Sequence, residues 1–398
     1  MPFNILVVLI LMGGWLVGKS FSKAGLPSVL GMVVWGLVIG FLWSDYLPPQ
    51  LSAIEPFLKS MALIIILLRA GLGIKKSTLK KTGVTALLMA FIPCIVEGTV
   101  LTVLIHYFFG FQWPIAGLTA FMLAAVSPAV VVPSMLDLKD KGYGKKNDVP
   151  TIVLAGASID DVFAITVFTV FLQSLTANQV NLTRFLLSVP FALVTGIISG
   201  IVIGFTLVWL FRRKGADIRA TEKTLILLMI AVMLVQIGDW LHMASLLGVM
   251  TIGFILLEKQ EKIAHELSFK LSKMWVFAEI VLFVLIGISV DPLVALDAGS
   301  KGLLIIFLGV LFRAASVLFA TSWSELTFKE RLFCAIAYTP KATVQAALGG
   351  VALSMGIEHG ETILALAVLS IMITAPLGLI GIRHFGKHLL SMEFSENE

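Results

Sequence analysis

The sequence predicts an all-α protein that crosses a membrane about thirteen times. Three observations predict it. The 398-residue chain is 58% hydrophobic and only 13% charged, whereas soluble domains carry about a quarter charged residues. Apolar runs near the roughly 20 residues that span a bilayer recur from Phe3 to Ile382, with short polar loops between them. Most of the 29 Lys and Arg residues fall in alternate loops.

The first run, Phe3 to Val17, has no basic leader and no small-residue cleavage site after it, so it is expected to be an uncleaved span. Helices 2 to 4 are expected over Pro27 to Trp43, Ile54 to Ile74 and Gly83 to Tyr107. Helix 5, Pro114 to Leu136, holds two internal prolines, and helix 6, Pro150 to Leu175, holds two aspartates. Phe185 to Phe211 ends in a basic triplet; Thr224 to Trp240, Ala244 to Leu257 and Leu271 to Val290 complete helices 8 to 10. Helices 11 to 13 are Gly302 to Trp323, Arg331 to Met355 and Thr362 to Ile382.

Basic residues cluster at Lys19 and Lys23, Lys75 to Lys81, Lys139 to Lys146, Arg212 to Lys223, Lys259 to Lys273, Lys329 and Arg331, and Arg383 and Lys387. All these loops share one side. The other side has Lys59, Arg184 and Lys301. By the positive-inside rule the N-terminus is outside and the C-terminus cytoplasmic, as expected in a cell's inner membrane. The net charge of +5 therefore reports topology rather than affinity for nucleic acid. Cys94 and Cys334 sit in apolar helices without a CxxC or Cys/His cluster, so neither a disulfide framework nor a resident metal or other cofactor is expected.

Arg69, Arg313, Lys341, Glu97, Asp160, Asp161 and Glu279 lie deep in apolar sequence. At roughly 2.5 to 3.5 kcal/mol each on the insertion scale, that many unpaired charges would exceed the roughly 5 to 15 kcal/mol that holds a typical fold. They must pair, protonate or line water. Arg69 lies close enough to its helix end to snorkel, and Glu279 is its candidate partner in a structural ion pair. Glu97 and Arg313 are central in their spans and are expected to pair. Asp160 and Asp161 point about 100° apart on their helix, so one can face an ion pathway while the other meets a cation. Desolvation raises a carboxylate's pKa and a nearby cation lowers it; a carboxylate held between the two can trade a proton for a metal cation.

Helix 5 carries Ser127, Pro128 and Pro133, and helix 12 carries Thr339, Pro340, Lys341 and Thr343. Proline deletes an amide donor and clashes with the preceding turn, so both helices should unwind there. The two segments share a hydroxyl-Pro-x-x-x-Val pattern offset by 212 residues, from 127 to 339. Seven helix starts, an odd number, lead from helix 5 to helix 12, so the copies run in opposite directions and form an inverted repeat. Matching discontinuous helices in inverted halves point to a transporter's midplane ion site. The same offset carries Glu97 to position 309, one turn from Arg313, and the aspartates to Met372 and Ile373. Both halves thus place an ionisable group at similar depth, but only one half carries the aspartates.

These features resemble the monovalent cation:proton antiporter superfamily, and within it the NHA-type sodium/hydrogen exchangers. The resemblance covers nearly the whole chain. It rests on the Ser127-Pro128 break, the Gly156-Ala157-Ser158-Ile159-Asp160-Asp161 segment, and Pro340-Lys341-Ala342-Thr343-Val344-Gln345-Ala346-Ala347. It implies a homodimer in lipid with a moving core at 83–180 and 299–390 (helices 4 to 6 and 11 to 13). Residues 1–82 and 224–298 would form the dimerisation domain, and 181–223 a linker helix. It further implies a sodium site at Asp161, assisted by Asp160, Ser127 and Ser158, with Arg313, Lys341 and Glu97 compensating charge. Many family members carry a lysine on helix 11; here the basic residue there is Arg313, and the lysine is Lys341 on helix 12.

The expected activity is exchange of sodium or lithium for protons by alternating access. Potassium/proton exchange and sodium-coupled organic-anion uptake are the alternatives on the same fold. An enzyme is not expected: an intramembrane aspartyl protease needs two carboxylates sharing one water, which adjacent helical positions cannot supply. The histidines, His106, His242, His265, His359, His384 and His388, sit at helix ends or in loops and are candidate pH sensors.

Overall fold

The computed structural model describes residues 2–43, 46–73, 76–176, 182–214, 218–241, 243–289 and 299–392. Within the described residues, and apart from short non-helical segments in the fifth and twelfth, the expected spans fall on helix. In chain order these are α1 (Phe3–Lys23), α2 (Ser28–Trp43), α3 (Pro49–Gly71) and α4 (Lys76–Phe109). Next come α5a (Trp113–Ala124), α5b (Pro128–Asp140), α6 (Val149–Thr176) and α7 (Leu182–Lys214). Then follow α8 (Ala220–Leu241), α9 (Ser245–Lys259), α10 (Glu261–Ile288) and α11 (Gly299–Ala320). The chain closes with α12a (Phe328–Ala337), α12b (Thr343–Leu348) and α13 (Gly360–Leu389). Among the described residues, nine helices are long and apolar enough to cross a membrane.

Local chemistry sets several of these boundaries. Gly83, at φ 48°, kinks α4 where its basic first turns give way to the apolar span. Thr327 and Glu330 form a reciprocal capping box that starts α12a. Inside α1, residues Leu9–Gly13 form a π-helical turn, and the indole nitrogen of Trp35 donates to the Leu9 carbonyl at 2.9 Å, satisfying backbone that such a turn disturbs. Cys94 and Cys334 are buried free thiols.

The chain divides into two compact units. One comprises residues 1–56, 81–168 and 280–398, the other residues 57–80 and 169–279. In the second, α7 and α9 approach closely: a Cβ on Gly200 would strike the Gly248 carbonyl, and one on Gly248 would lie 2.9 Å from the Gly196 carbonyl. In the first, α2 packs on α10 in the same way, with Gly36 against Gly287. Small residues let apolar helices meet backbone to backbone, which is how helices associate without a hydrophobic driving force.

Ends of helices assigned to one side gather together within each unit. In the first, the Gly144 amide donates to Ser391 at 2.8 Å, Asn147 donates to Glu330 at 2.9 Å and Arg383 to Gly25 at 3.1 Å. In the second, the Lys76 amide donates to Glu258 at 2.7 Å and Lys223 lies 4.0 Å from Glu266.

The inverted repeat also has a backbone signature. Among the described residues, Asp148 (φ 52°) and His359 (φ 63°) are the non-glycine positions with positive φ. Each immediately precedes the last helix of its half, α6 or α13. They stand 211 residues apart (148 and 359), within one of the offset between the proline motifs.

Candidate functional site

All the groups of the site belong to the first unit. Helix 5 unwinds at Ala125–Ser127 and resumes at Pro128, whose missing amide is harmless at a helix start. Helix 12 unwinds from Thr339 to Ala342 and resumes at Thr343. Pro133 departs from expectation: α5b runs across it without a break. One absent amide in the second turn forfeits a single backbone bond, which is too little to end a helix whose other bonds remain.

The two unwound segments bond to each other. The Ser127 amide donates to the Pro340 carbonyl at 2.8 Å, and the Thr343 amide donates to Ser127 Oγ at 3.3 Å. The carbonyls left open at the end of α5a accept from Gln345, whose amide nitrogen lies 2.9 Å from Met122 O and 3.0 Å from Ala125 O. Arg313 donates to the remaining one, Ala124 O. On the other side of the gap, the Val126 amide donates to Asp160 Oδ2 at 3.0 Å, and the Lys341 amide to Thr374 Oγ1 at 2.9 Å. A cation thus caps the negative end of α5a, and a carboxylate takes an amide at the approach to the positive end of α5b.

The charges form a closed set. Arg313 reaches Glu97 through one terminal nitrogen and Asp160 through the other, each at 2.7 Å. Lys341 Nζ lies 2.8 Å from Glu97 Oε1, an ion pair whose angles fall outside those of a hydrogen bond. All four side chains are buried. Their charges sum to zero, which is what permits burial of ions away from water. The guanidinium also lies over the Tyr338 ring, 5.4 Å from its centroid.

Asp161 stands outside this set. It is 3% exposed, and its Oδ1 has no hydrogen-bond partner among the described residues. The 100° step of the helix sends Asp160 into the Arg313 fork and leaves Asp161 without it. No group of three or more His, Cys, Asp or Glu converges among the described residues. Asp161 offers a carboxylate oxygen on which a proton or a cation can sit.

The repeat explains why only one half holds a carboxylate at the Glu97 position. A Cβ on Gly309, the repeat mate of Glu97, would lie 3.0 Å from Glu97 Oε1. The two positions face each other, so there is room for one long side chain.

Arg69 and Glu279 share no ion pair within 4 Å among the described residues. The Arg69 guanidinium instead lies over Trp275, 5.9 Å from the ring centroid, one turn before Glu279. Both are partly buried, and each is the opposite charge that acts on the other, so the pair attracts without a direct contact. The side chain of Ser158 and all of His242 lie outside the described residues. His106 stacks on Trp113 at 4.0 Å and His359 on Phe111 at 4.3 Å.

Gln345, Thr374 and Tyr338 did not emerge from the sequence as site residues. A charge census passes over neutral groups, yet a buried amide or hydroxyl without a partner is also unfavourable by several kcal/mol in hydrocarbon, roughly 2 to 7. The same test applied to neutral polar residues in apolar spans would have found Gln345.

A family profile described as "Sodium/hydrogen exchanger, transmembrane" matches residues 7–387. Sodium/hydrogen exchanger 9B2 of Homo sapiens is 34% identical over 412 aligned positions, covering 99% of this chain and 76% of that protein. Sodium/hydrogen exchanger 9B1 of Homo sapiens is 30% identical, covering 94% of this chain and 74% of that protein. Among solved structures, the sodium proton antiporter MjNhaP1 from Methanocaldococcus jannaschii matches with a TM-score of 0.81 at 20% identity, over 96% of each chain. At that identity the likeness concerns the fold.

Proposed function

The chain belongs to the sodium/hydrogen exchanger family, and from that premise we propose that its antiport of sodium against protons runs through Asp161. One observation carries this reading. Four buried charges neutralise one another, and the buried carboxylate beside them, Asp161, keeps an oxygen without a hydrogen-bond partner among the described residues. A proton or a sodium ion on Asp161 neutralises it equally. Either loaded form can cross the apolar barrier, whereas the bare carboxylate is held back by its own desolvation. Competition for one group then couples the two fluxes.

Asp160 acts as a fixed element in this scheme, locked by Arg313 and the Val126 amide. Ser127, Ser158 and the unwound backbone would supply further oxygens to a dehydrated cation, and lithium fits the same donors. Residues 83–180 and 299–390 would move as the core, against residues 1–82 and 224–298 as the dimerisation domain of a homodimer, with 181–223 as the link. The loop charges support a reading with the N-terminus outside and the C-terminus in the cytoplasm of a cell's inner membrane. Potassium exchange and organic-anion uptake have no support from the family match.

The test is sodium-induced proton efflux from everted vesicles carrying Asp161→Asn. Asparagine keeps the shape but cannot trade charge, so exchange should fall to the background of vesicles lacking the protein. Wild-type exchange in this variant would sink the mechanism.

A further inference from the structure

A cavity of about 620 Å³ opens between the loop joining α1 to α2, one face of α5b and the last turns of α13. Its size lies within the range of small-molecule sites. Val130, Ser134, Asp137 and Lys141 form the α5b wall, rising about 16 Å at 1.5 Å per residue. Toward Val130, Leu379 and Ile382 the lining is apolar; at the other end it carries Lys141, Arg383 and Lys387.

These cations are not alike. Lys141 is neutralised by Asp137 at 2.7 Å. Arg383 bonds a neutral partner, the Gly25 carbonyl at 3.1 Å, which fixes its guanidinium at the cavity and leaves its charge uncompensated. Lys387 likewise meets no carboxylate among the described residues. Two unpaired positive charges beside a route for sodium would deplete sodium there. The positive-inside rule accounts for basic residues at this end of α13 but not for a guanidinium fixed over a cavity with an apolar floor. An anion accounts for it. The apolar floor adds a second requirement, a ligand with hydrocarbon attached to its charge.

We propose that this cavity binds an anionic phospholipid, its phosphate between Arg383 and Lys387 and its first acyl carbons against Leu379 and Ile382. The orientation under Proposed function puts the cavity in the cytoplasmic leaflet, where anionic lipids attract basic clusters; the binding itself does not depend on the exchange mechanism. A lipid seated here lies against both α5b and the α1–α2 loop, so it would tie stability and turnover to membrane composition.

The experiment follows the thermal melting of the purified full-length protein while dioctanoyl phosphatidylglycerol, dioctanoyl phosphatidylcholine or inorganic phosphate is added. The phosphatidylglycerol should raise the melting temperature and the phosphatidylcholine should not. Arg383→Gln with Lys387→Gln should weaken the phosphatidylglycerol response about 30-fold. Arg383→Lys with Lys387→Arg should retain it, and so should Arg212→Gln with Arg213→Gln, at the exposed end of α7. An unchanged response in the glutamine pair would overturn the proposal. So would a shift that inorganic phosphate reproduces at equal concentration, since the acyl floor would then contribute nothing. The same titration on Asp161→Asn separates the two readings, because the lipid response should survive there whether or not Asp161 is the exchanging group.

Discussion

The two broken helices share a backbone design and differ in where their charge comes from. The gap in helix 5 contains no ionisable residue of its own. Its open carbonyls and amides are met by Arg313 from α11, Asp160 from α6 and Gln345 from α12b. The gap in helix 12 carries its own cation, Lys341, whose ammonium turns to Glu97 on α4. Symmetry thus supplies the crossing, and asymmetric side chains supply the field. The first gap depends on groups from elsewhere in the fold, so it is the more fragile of the two.

The largest expected effect comes from Arg313→Met. Removing the one cation that serves both Glu97 and Asp160 leaves buried charge uncompensated, a loss of about 3 to 5 kcal/mol. It should appear as a sharply lowered melting temperature in detergent. Combining it with Glu97→Gln should recover part of that loss, and an additive double variant would break the idea of a coupled set. Gln345→Ala should be milder, about 1 to 3 kcal/mol, because it strands α5a carbonyls rather than ions; hydrogen exchange mass spectrometry should locate the loosening in α5a and not in α12b. Loosening confined to α12b would reverse the comparison. Ser127→Ala is the smallest, about 1 kcal/mol, since Ser127 Oγ makes only long bonds, with the Thr343 amide at 3.3 Å and the Thr343 hydroxyl at 3.4 Å. Its effect should fall on the apparent sodium affinity more than on melting, and an unchanged affinity would remove Ser127 from the ion site.

Much of this was legible in advance. Prolines at mid-span marked both gaps, because proline's geometry is a property of the residue itself. Intramembrane charges marked Glu97, Asp160, Asp161, Arg313 and Lys341, because burial without compensation is prohibitive wherever it occurs. Pro133 was misread as part of the break: one proline is a local perturbation, and whether it unwinds a helix depends on what else packs there. Arg69 and Glu279 were matched by charge, and they do act on each other, but partly buried groups need not come into direct contact. Gln345 escaped because a neutral amide looks inexpensive until its surroundings are known.

The sequence by itself determined the helical spans, the side on which basic loops gather, the repeat and the identity of the buried ionisable groups. Each follows from composition, period or transfer free energy, which the chain carries locally. Only the tertiary structure decided which aspartate is locked and which is open. Asp160 and Asp161 are adjacent and chemically identical, and the 100° between them has meaning only once Arg313, from a helix 153 residues away in sequence, occupies one of the two directions.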